Sequence, residues 1–223
     1  MADAMKVDFN AMIDKHIARE HKPKSIGRYY PSEIGNCIRK VWYTYKYPTE
    51  IEPELRRVFE LGNILHNFIV DVLKSGKTQG VELIESEIPF KVPYNDFVIS
   101  GRVDDLMLLK SGEKKILVEV KSCKSVKRMT PMPHHKIQLQ FYMYAMQVHD
   151  GVLLYVDKST LDTKSFEVQF SQKQAKRILN KFRALHKHLT NSSLPVAESK
   201  KQSDSKWMCN YCEYREKCAK DEK

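Results

Sequence analysis

Nowhere in the chain do the roughly 20 consecutive apolar residues of a membrane-spanning helix occur, and the opening stretch MADAMKVDFN lacks the apolar core of a secretory signal. No membrane-embedded role is expected, and the chain reads as a soluble, cytoplasmic protein. Cysteine is scarce. Five residues in 223 make no disulfide framework in such a compartment, so their placement needs another explanation. Neither an internal repeat nor a low-complexity run is visible, which excludes repeat and fibrous architectures. Acidic residues fall short of basic ones, 28 against 38, leaving a formal charge of +10. That imbalance favours a polyanionic partner, nucleic acid first and an anionic membrane surface second. What is present is length enough for one sizeable domain over residues 1–223.

The densest signal runs from Val98 to Ser125, VISGRVDDLMLLKSGEKKILVEVKSCKS. Two apolar-rich runs flank the turn residues Ser111 and Gly112, so a β-hairpin is expected. Pairing about that turn sets Leu106 opposite Leu117 and Asp104 opposite Glu119. Like charges directly across a strand pair are destabilising, and these lie among Leu, Ile and Val that favour burial. Period-two alternation puts Lys121 on the face of Glu119 and Asp104, with Val118 and Val120 on the other. Two readings follow. The carboxylates are hard oxygen ligands for Mg²⁺ or Mn²⁺, with Lys121 orienting a water or stabilising developing charge; or they are exposed edge residues salt-bridged to Lys121.

Upstream, Met5 to His21 places Val7, Phe9, Met12, Ile13 and Ile17 at helical spacing, a packing helix with His16 and His21 at its surface. In YYPSEIGNCIRKVWYTYKYP, Ser32 is the expected N-cap of a short helix bounded by Pro31 and Pro48, with Cys37 inside it. Glu54 to Gly76 is a strong amphipathic helix whose stripe comprises Leu55, Val58, Phe59, Leu61, Ile64, Leu65, Phe68, Ile69 and Val72. His66 falls beside that stripe, as a hydrogen-bonded packing residue or a ligand. Gly62 suggests the close approach of another segment. Val81 to Val92 alternates as a strand.

After the hairpin, SCKSVKRMTPMPHHK is expected as a loop beside the carboxylates. There Lys124, Lys127, Arg128 and Lys136 either hold a phosphate backbone or are simply solvated. His135 to His149 reads as a helix with Gln138 and Tyr142 on one face, turned to solvent or over a nucleotide. Strands over Val152 to Asp157 and Ser165 to Phe170 follow, then a helix from Ser171 to about Leu189 that is basic on its outer face. Lys200 to Asp204 reads as a short polar linker. This order describes an α/β fold with a mixed central sheet flanked by helices.

The C-terminal WMCNYCEYREKC holds Cys209, Cys212 and Cys218, and three thiols so close in an intracellular protein argue for metal. Cys37 is the natural fourth ligand, because Cys123 adjoins Lys121. Four thiolates fit tetrahedral zinc or an iron-sulfur cluster, and spacing does not separate them.

GNILH ending at His66, GRVD ending at Asp104, EVK from Glu119 to Lys121, QLQFY from Gln138 to Tyr142, and cysteines split one and three occur in that order. Together they resemble the fourth CRISPR-associated (Cas) nuclease family, a branch of the RecB-like PD-(D/E)xK nucleases, over nearly the whole chain. The resemblance implies a restriction-endonuclease-like core carrying a cysteine-ligated cluster module built from about 31–48 and 203–219. It implies that His66, Asp104, Glu119 and the carbonyl of Val120 bind Mg²⁺ or Mn²⁺, that Lys121 serves the attacking water, and that Gln138 and Tyr142 line the DNA path. Cys37, Cys209, Cys212 and Cys218 would hold an iron-sulfur cluster, 4Fe-4S in preference to 2Fe-2S. The implied activity is single-stranded DNA exonuclease, trimming spacer precursors for a CRISPR integrase complex. Within GRVDD, Asp104 is chosen over Asp105 because it shares a face with Glu119 and Lys121. The rivals are a stand-alone RecB-like repair or replication nuclease, a non-catalytic DNA-binding subunit, and a zinc-bound structural adaptor.

Overall fold

A computed structural model describes residues 7–19, 23–77, 79–201 and 203–221. Met5 and His21, at the ends of the first expected helix, lie outside them. Helix α1 covers Phe9–Ile17, its N-terminus capped by Asp8, whose carboxylate accepts from Ala11 N at 3.0 Å. His16 is exposed as expected. A two-residue strand, β1 (Arg28–Tyr29), was not legible in the sequence. The single helix expected next is two, α2 (Pro31–Ile34) and α3 (Ile38–Lys46). Pro31 takes the first helical position after Tyr30, so Ser32 lies inside α2 and caps nothing, and Cys37 sits at the N-cap of α3 rather than within a helix. The break comes at Gly35, where a Cβ would stand 2.7–2.9 Å from His134 side-chain and backbone atoms. Only glycine lets the segment carrying His134 approach so closely there.

Helix α4 (Pro53–Lys74) corrects a second expectation. Leu55, Val58, Phe59, Ile64, Phe68 and Val72 are exposed; only the row Leu61, Leu65, Ile69 and Leu73 packs on the sheet, against Met107, Ile116, Val118, Val120 and Val156. Nine apolar residues are spread too widely around a helix for one contact line to bury them all. Gly62 has a neighbour, Ser122 Oγ, but at 3.9 Å a methyl group would fit, so glycine is not demanded there.

Strands β2 (Val81–Tyr94) and β3 (Phe97–Leu109) form an antiparallel hairpin about Asn95 and Asp96, with Asn95 at a φ of +51°. Strand β4 (Lys114–Cys123) returns antiparallel to β3, with Leu106 opposite Leu117 as the turn residues implied. The β3–β4 ladder stops at Asp105–Val118. Beyond it β3 pairs in parallel with β1 at Val98 and Ile99, while β4 carries parallel β5 (Asp150–Asp157) along its other edge from Leu117 onward. Strand β6 (Thr163–Gln169) closes the sheet, a mixed sheet of six strands.

The β4–β5 crossover is α5 (Pro133–Met146). It begins two residues earlier than expected, taking in Pro133 and His134, and stops short of His149 at Gln147, in a left-handed conformation. Leu139, Tyr142 and Met143 of α5 pack on Ile88, Val103, Leu117, Leu153 and Tyr155, opposite the face that α4 covers. Helix α6 (Gln172–Thr190), capped by Ser171, buries Ile178, Leu179, Phe182, Leu185 and Leu189 against α3, Tyr29 and Phe97. The expected linker at 200–204 is helical instead, split between α7 (Glu198–Lys201) and a 3₁₀ helix over Ser203–Tyr211; Gln202 lies outside the described residues. Helix α8 (Arg215–Lys220) ends the described chain.

Candidate active site and cysteine cavity

Where β3 and β4 part, the groups expected from the hairpin converge. Asp104 Oδ2 accepts the Val120 backbone N–H at 2.9 Å, so a side chain replaces the ladder bond that the diverging strands no longer make. Glu119 is fully buried, and neither of its carboxylate oxygens has a hydrogen-bond partner; Oε1 is met only by the Lys121 ammonium, as an ion pair at 2.5 Å. Burial, then the neighbouring Asp104 charge, push the Glu119 carboxyl well up, and Lys121 offsets this only in part. Asp104 is raised as well, chiefly by burial. Burial pulls the Lys121 ammonium down, yet Glu119 and Asp104 together outweigh it and raise its pKa. Lys121 is therefore a cation at neutral pH.

His66, one turn beyond Gly62 on α4, reaches the same point. Its Nε2 lies 3.3 Å from Asp105 Oδ2 and its Nδ1 3.5 Å from Glu87 Oε1. The Asp105 contact is the chief reason its pKa is raised, against the effect of burial. Asp105 is fully buried and its Oδ1 has no partner. The two acids of GRVDD thus divide the work, Asp104 beside Glu119 and Lys121, Asp105 behind the imidazole.

On the other side stand Gln138 and Tyr142, both buried; Gln138 Nε2 donates to the Tyr142 hydroxyl at 2.9 Å. Burial, then Glu119, hold that phenol protonated. The His134 and His135 rings meet edge to face, centroids 4.1 Å apart, near Lys121, and both are held neutral, by burial first.

Glu87 was missed from the sequence. One ligand atom from each of His66, Glu87 and Asp104 lies within 4.8 Å of the others, the tightest such gathering among the described residues; Glu119, drawn to Lys121, is not part of it. Ser86 pairs with Asp105 and Ile88 with Val103, so Glu87 stands opposite Asp104. Its φ of +57° breaks the strand alternation, a left-handed conformation costing a non-glycine residue about 1–3 kcal/mol. Beside this group opens a cleft of about 1090 Å³ lined by His66, Glu87, Arg19, Arg28, Lys91 and Arg102, among others. The lysines and arginine expected to hold a phosphate backbone, Lys124, Lys127, Arg128 and Lys136, are exposed and do not line it.

Cys37, Cys209, Cys212 and Cys218 line one cavity together with Arg39, Lys40, Lys200 and Arg215. Arg39 Nη1 donates to Cys218 Sγ at 3.6 Å, and burial, then the Cys37 thiol among other neighbours, raise Cys209. Cys123 is elsewhere, in the cluster under α5. The C-terminal segment is fastened to α3 by Tyr214 Oη donating to Tyr47 O at 2.9 Å, Tyr43 Oη donating to Asp221 at 2.7 Å, and the Lys40–Glu213 ion pair at 2.9 Å.

A family model described as the PD-(D/E)XK nuclease superfamily matches residues 29–219. The CRISPR-associated exonuclease Cas4 of Saccharolobus solfataricus is 30% identical over 151 residues, 65% of this chain and 69% of that protein. The chain belongs to the Cas4 family of PD-(D/E)XK nucleases. Its fold is shared with the crystal structure of SSO0001, at a TM-score of 0.60 and 23% identity with 92% of each chain covered. It is shared too with an alkaline exonuclease from Laribacter hongkongensis, at a TM-score of 0.54 and 14% identity over 75% of this chain and 90% of that one. As a member of this family the protein is a metal-dependent nuclease. Its residues fit the cation such a nuclease needs, since buried carboxylate oxygens without partners sit beside a close His, Glu and Asp group. Among the described residues no helix is long and apolar enough to cross a membrane.

Proposed function

We propose that the protein is a DNA exonuclease acting on single-stranded ends, and that it trims spacer precursors before an integrase complex inserts them. The observation that carries the active-site assignment is the fully buried Glu119 beside Asp104, its Oε1 met only by the Lys121 ammonium and its Oε2 by no partner. A buried carboxylate raised by its own surroundings becomes stable as an anion only when a further cation joins it. His66, Asp104, Glu119 and the carbonyl of Val120 are the proposed ligands of Mg²⁺ or Mn²⁺. When bound, the cation supplies Lewis acidity that shields the scissile phosphate and lowers the pKa of a water.

The chain's own groups do the rest. Lys121, charged and tied to Glu119, donates to the attacking water and to the negative charge that develops on the phosphoryl oxygens; as an ammonium it does not act as the base. Tyr142, protonated and steadied by Gln138, faces the substrate as a hydrogen-bond donor. Arg19, Arg28, Lys91 and Arg102 give the cleft the charge to hold a phosphate backbone.

The four cysteines are proposed to hold an iron-sulfur cluster in a module of residues 31–48 and 203–219 within a single nuclease domain. What supports the reading is that all four thiols line one cavity, the set of sulfur ligands such a cluster takes. With all of the nuclease residues present, a non-catalytic subunit is disfavoured.

The test is digestion of end-labelled single-stranded and blunt duplex DNA with Mn²⁺. Single strands should shorten from an end, and Lys121→Ala should lose about 10²–10³ in rate while still binding DNA. Wild-type rates for Lys121→Ala would reject the site; equal rates on blunt duplex would reject the single-strand preference.

A further inference from the structure

We propose that Glu87 is a movable ligand of the metal site, latched to Arg102 until a DNA phosphate takes the arginine. The proposal rests on the metal-site reading above and extends it to a residue outside that ligand set. Three observations meet at this side chain. Its carboxylate lies in the one gathering of ligand atoms within 4.8 Å among the described residues, with His66 and Asp104. The left-handed φ of +57° holds it across from Asp104, in a strand that would otherwise run straight on. Its other oxygen is ion-paired with Arg102, one of the four cationic side chains that the cleft offers to a polyanion. The fully buried Glu119 supplies a separate sign of an absent cation, because its Oε2 has no partner and its Oε1 meets only the Lys121 ammonium.

The latch is built to open. Arg102 is 63% exposed and Glu87 45%, and exposed ion pairs contribute little to stability. Either a divalent cation or a phosphate therefore competes readily for one partner. The two competitors help each other: a phosphate on Arg102 frees Glu87 for the cation, and a cation on Glu87 frees Arg102 for the phosphate. Arg102 is two residues from Asp104 on β3, so it would hold a phosphate adjoining the cation.

The experiment is titration of Mn²⁺ into the full chain, freed of divalent cations and without DNA, by calorimetry and electron paramagnetic resonance. Glu87→Gln and Glu87→Gly should each bind Mn²⁺ about tenfold more weakly or worse, since disturbing even the groups that orient metal ligands costs 10–100-fold. The glycine variant relieves the left-handed backbone and should melt no lower than wild type, which separates ligand loss from misfolding. Arg102→Ala should bind Mn²⁺ about two- to fivefold more tightly, and the Glu87→Gln, Arg102→Ala double variant should match Glu87→Gln alone. Wild-type affinity in Glu87→Gln, or weakened Mn²⁺ binding in Arg102→Ala, would overturn the proposal. Asp104→Ala tells that failure from failure of the whole site: it loses Mn²⁺ if only the Glu87 assignment is wrong, and keeps it if the metal-site reading is wrong.

Discussion

Glu119→Gln should stabilise the metal-free protein while destroying its response to metal. The native environment raises the Glu119 carboxyl, by burial first and the Asp104 charge second, so at neutral pH its ionisation works against folding. Lys121 at 2.5 Å offsets only part of this, and Asp104 remains as a counterion for that ammonium after the substitution. Removing the charge from a fully buried group whose one counterion offsets only part of its burial should therefore gain about 1–3 kcal/mol. In a chain of this size that is about 2–12 °C in melting temperature. The pH dependence carries the sign. A carboxyl raised on folding costs nothing below its unfolded pKa of about 4.3, and its penalty grows until the native value is passed. The advantage of the glutamine variant in chelator should thus be absent near pH 4, widen as pH rises, and level off above the raised native pKa. Adding Mn²⁺ should reverse the order, raising the melting temperature of the wild type and leaving the variant unmoved. A glutamine variant that melts below wild type in chelator at pH 7 would refute the argument, as would a difference independent of pH.

Asp105→Asn should lower the pKa of His66, followed through its imidazole resonances in the metal-free protein, because the Asp105 contact is the main influence raising it. Mn²⁺ affinity should fall about 10–100-fold with it, and an unmoved His66 titration would remove Asp105 from its positioning role. Cys37→Ala should bleach the broad visible absorption of iron and sulfide and lower the melting temperature, since a cluster joining Cys37 to Cys209 closes a loop of most of the chain; Cys123→Ala, outside the cysteine cavity, should do neither. Wild-type protein carrying zinc and no sulfide would reject the iron-sulfur assignment.

What the sequence revealed was whatever local periodicity governs. The Ser111–Gly112 turn dictated the β3–β4 register, and alternation told Asp104 from Asp105, because both rules act within a few residues. Burial of α4 was not legible in the same way. A helix with apolar residues on several faces does not reveal which row meets the sheet, and here it is the row through Leu65 and Ile69. Capping propensity at Ser32 competes with Pro31, which fixes the start of α2 two residues earlier. Glu87 carries no local mark at all. Its signal lay in the Asn95–Asp96 turn, whose pairing of Tyr94 with Phe97 puts Glu87 across from Asp104 when followed back along the hairpin. Asp105 was set aside for facing away from Glu119, and that face is the one that meets His66.

The active site and the divergence of the strands are one feature. Strand β3 gives one whole edge to β2 and divides the other between β1 at Val98–Ile99 and β4 from Asp105 onward. The residues between those two partners have no strand on that edge. Asp104 is the last of them, and its carboxylate occupies the opening by taking the Val120 N–H. Had β3 and β4 stayed paired, Asp104 and Glu119 would face each other across a closed ladder with no room for a cation or a phosphate between them. Because the β3–β4 ladder ends there while β4 runs on along β5 on its other edge, Glu119 and Lys121 stay on a sheet strand and the space ahead of Asp104 stays open toward His66 and Glu87. The two short turns therefore set the register, and the change of partner at Asp105–Val118 converts that register into a site.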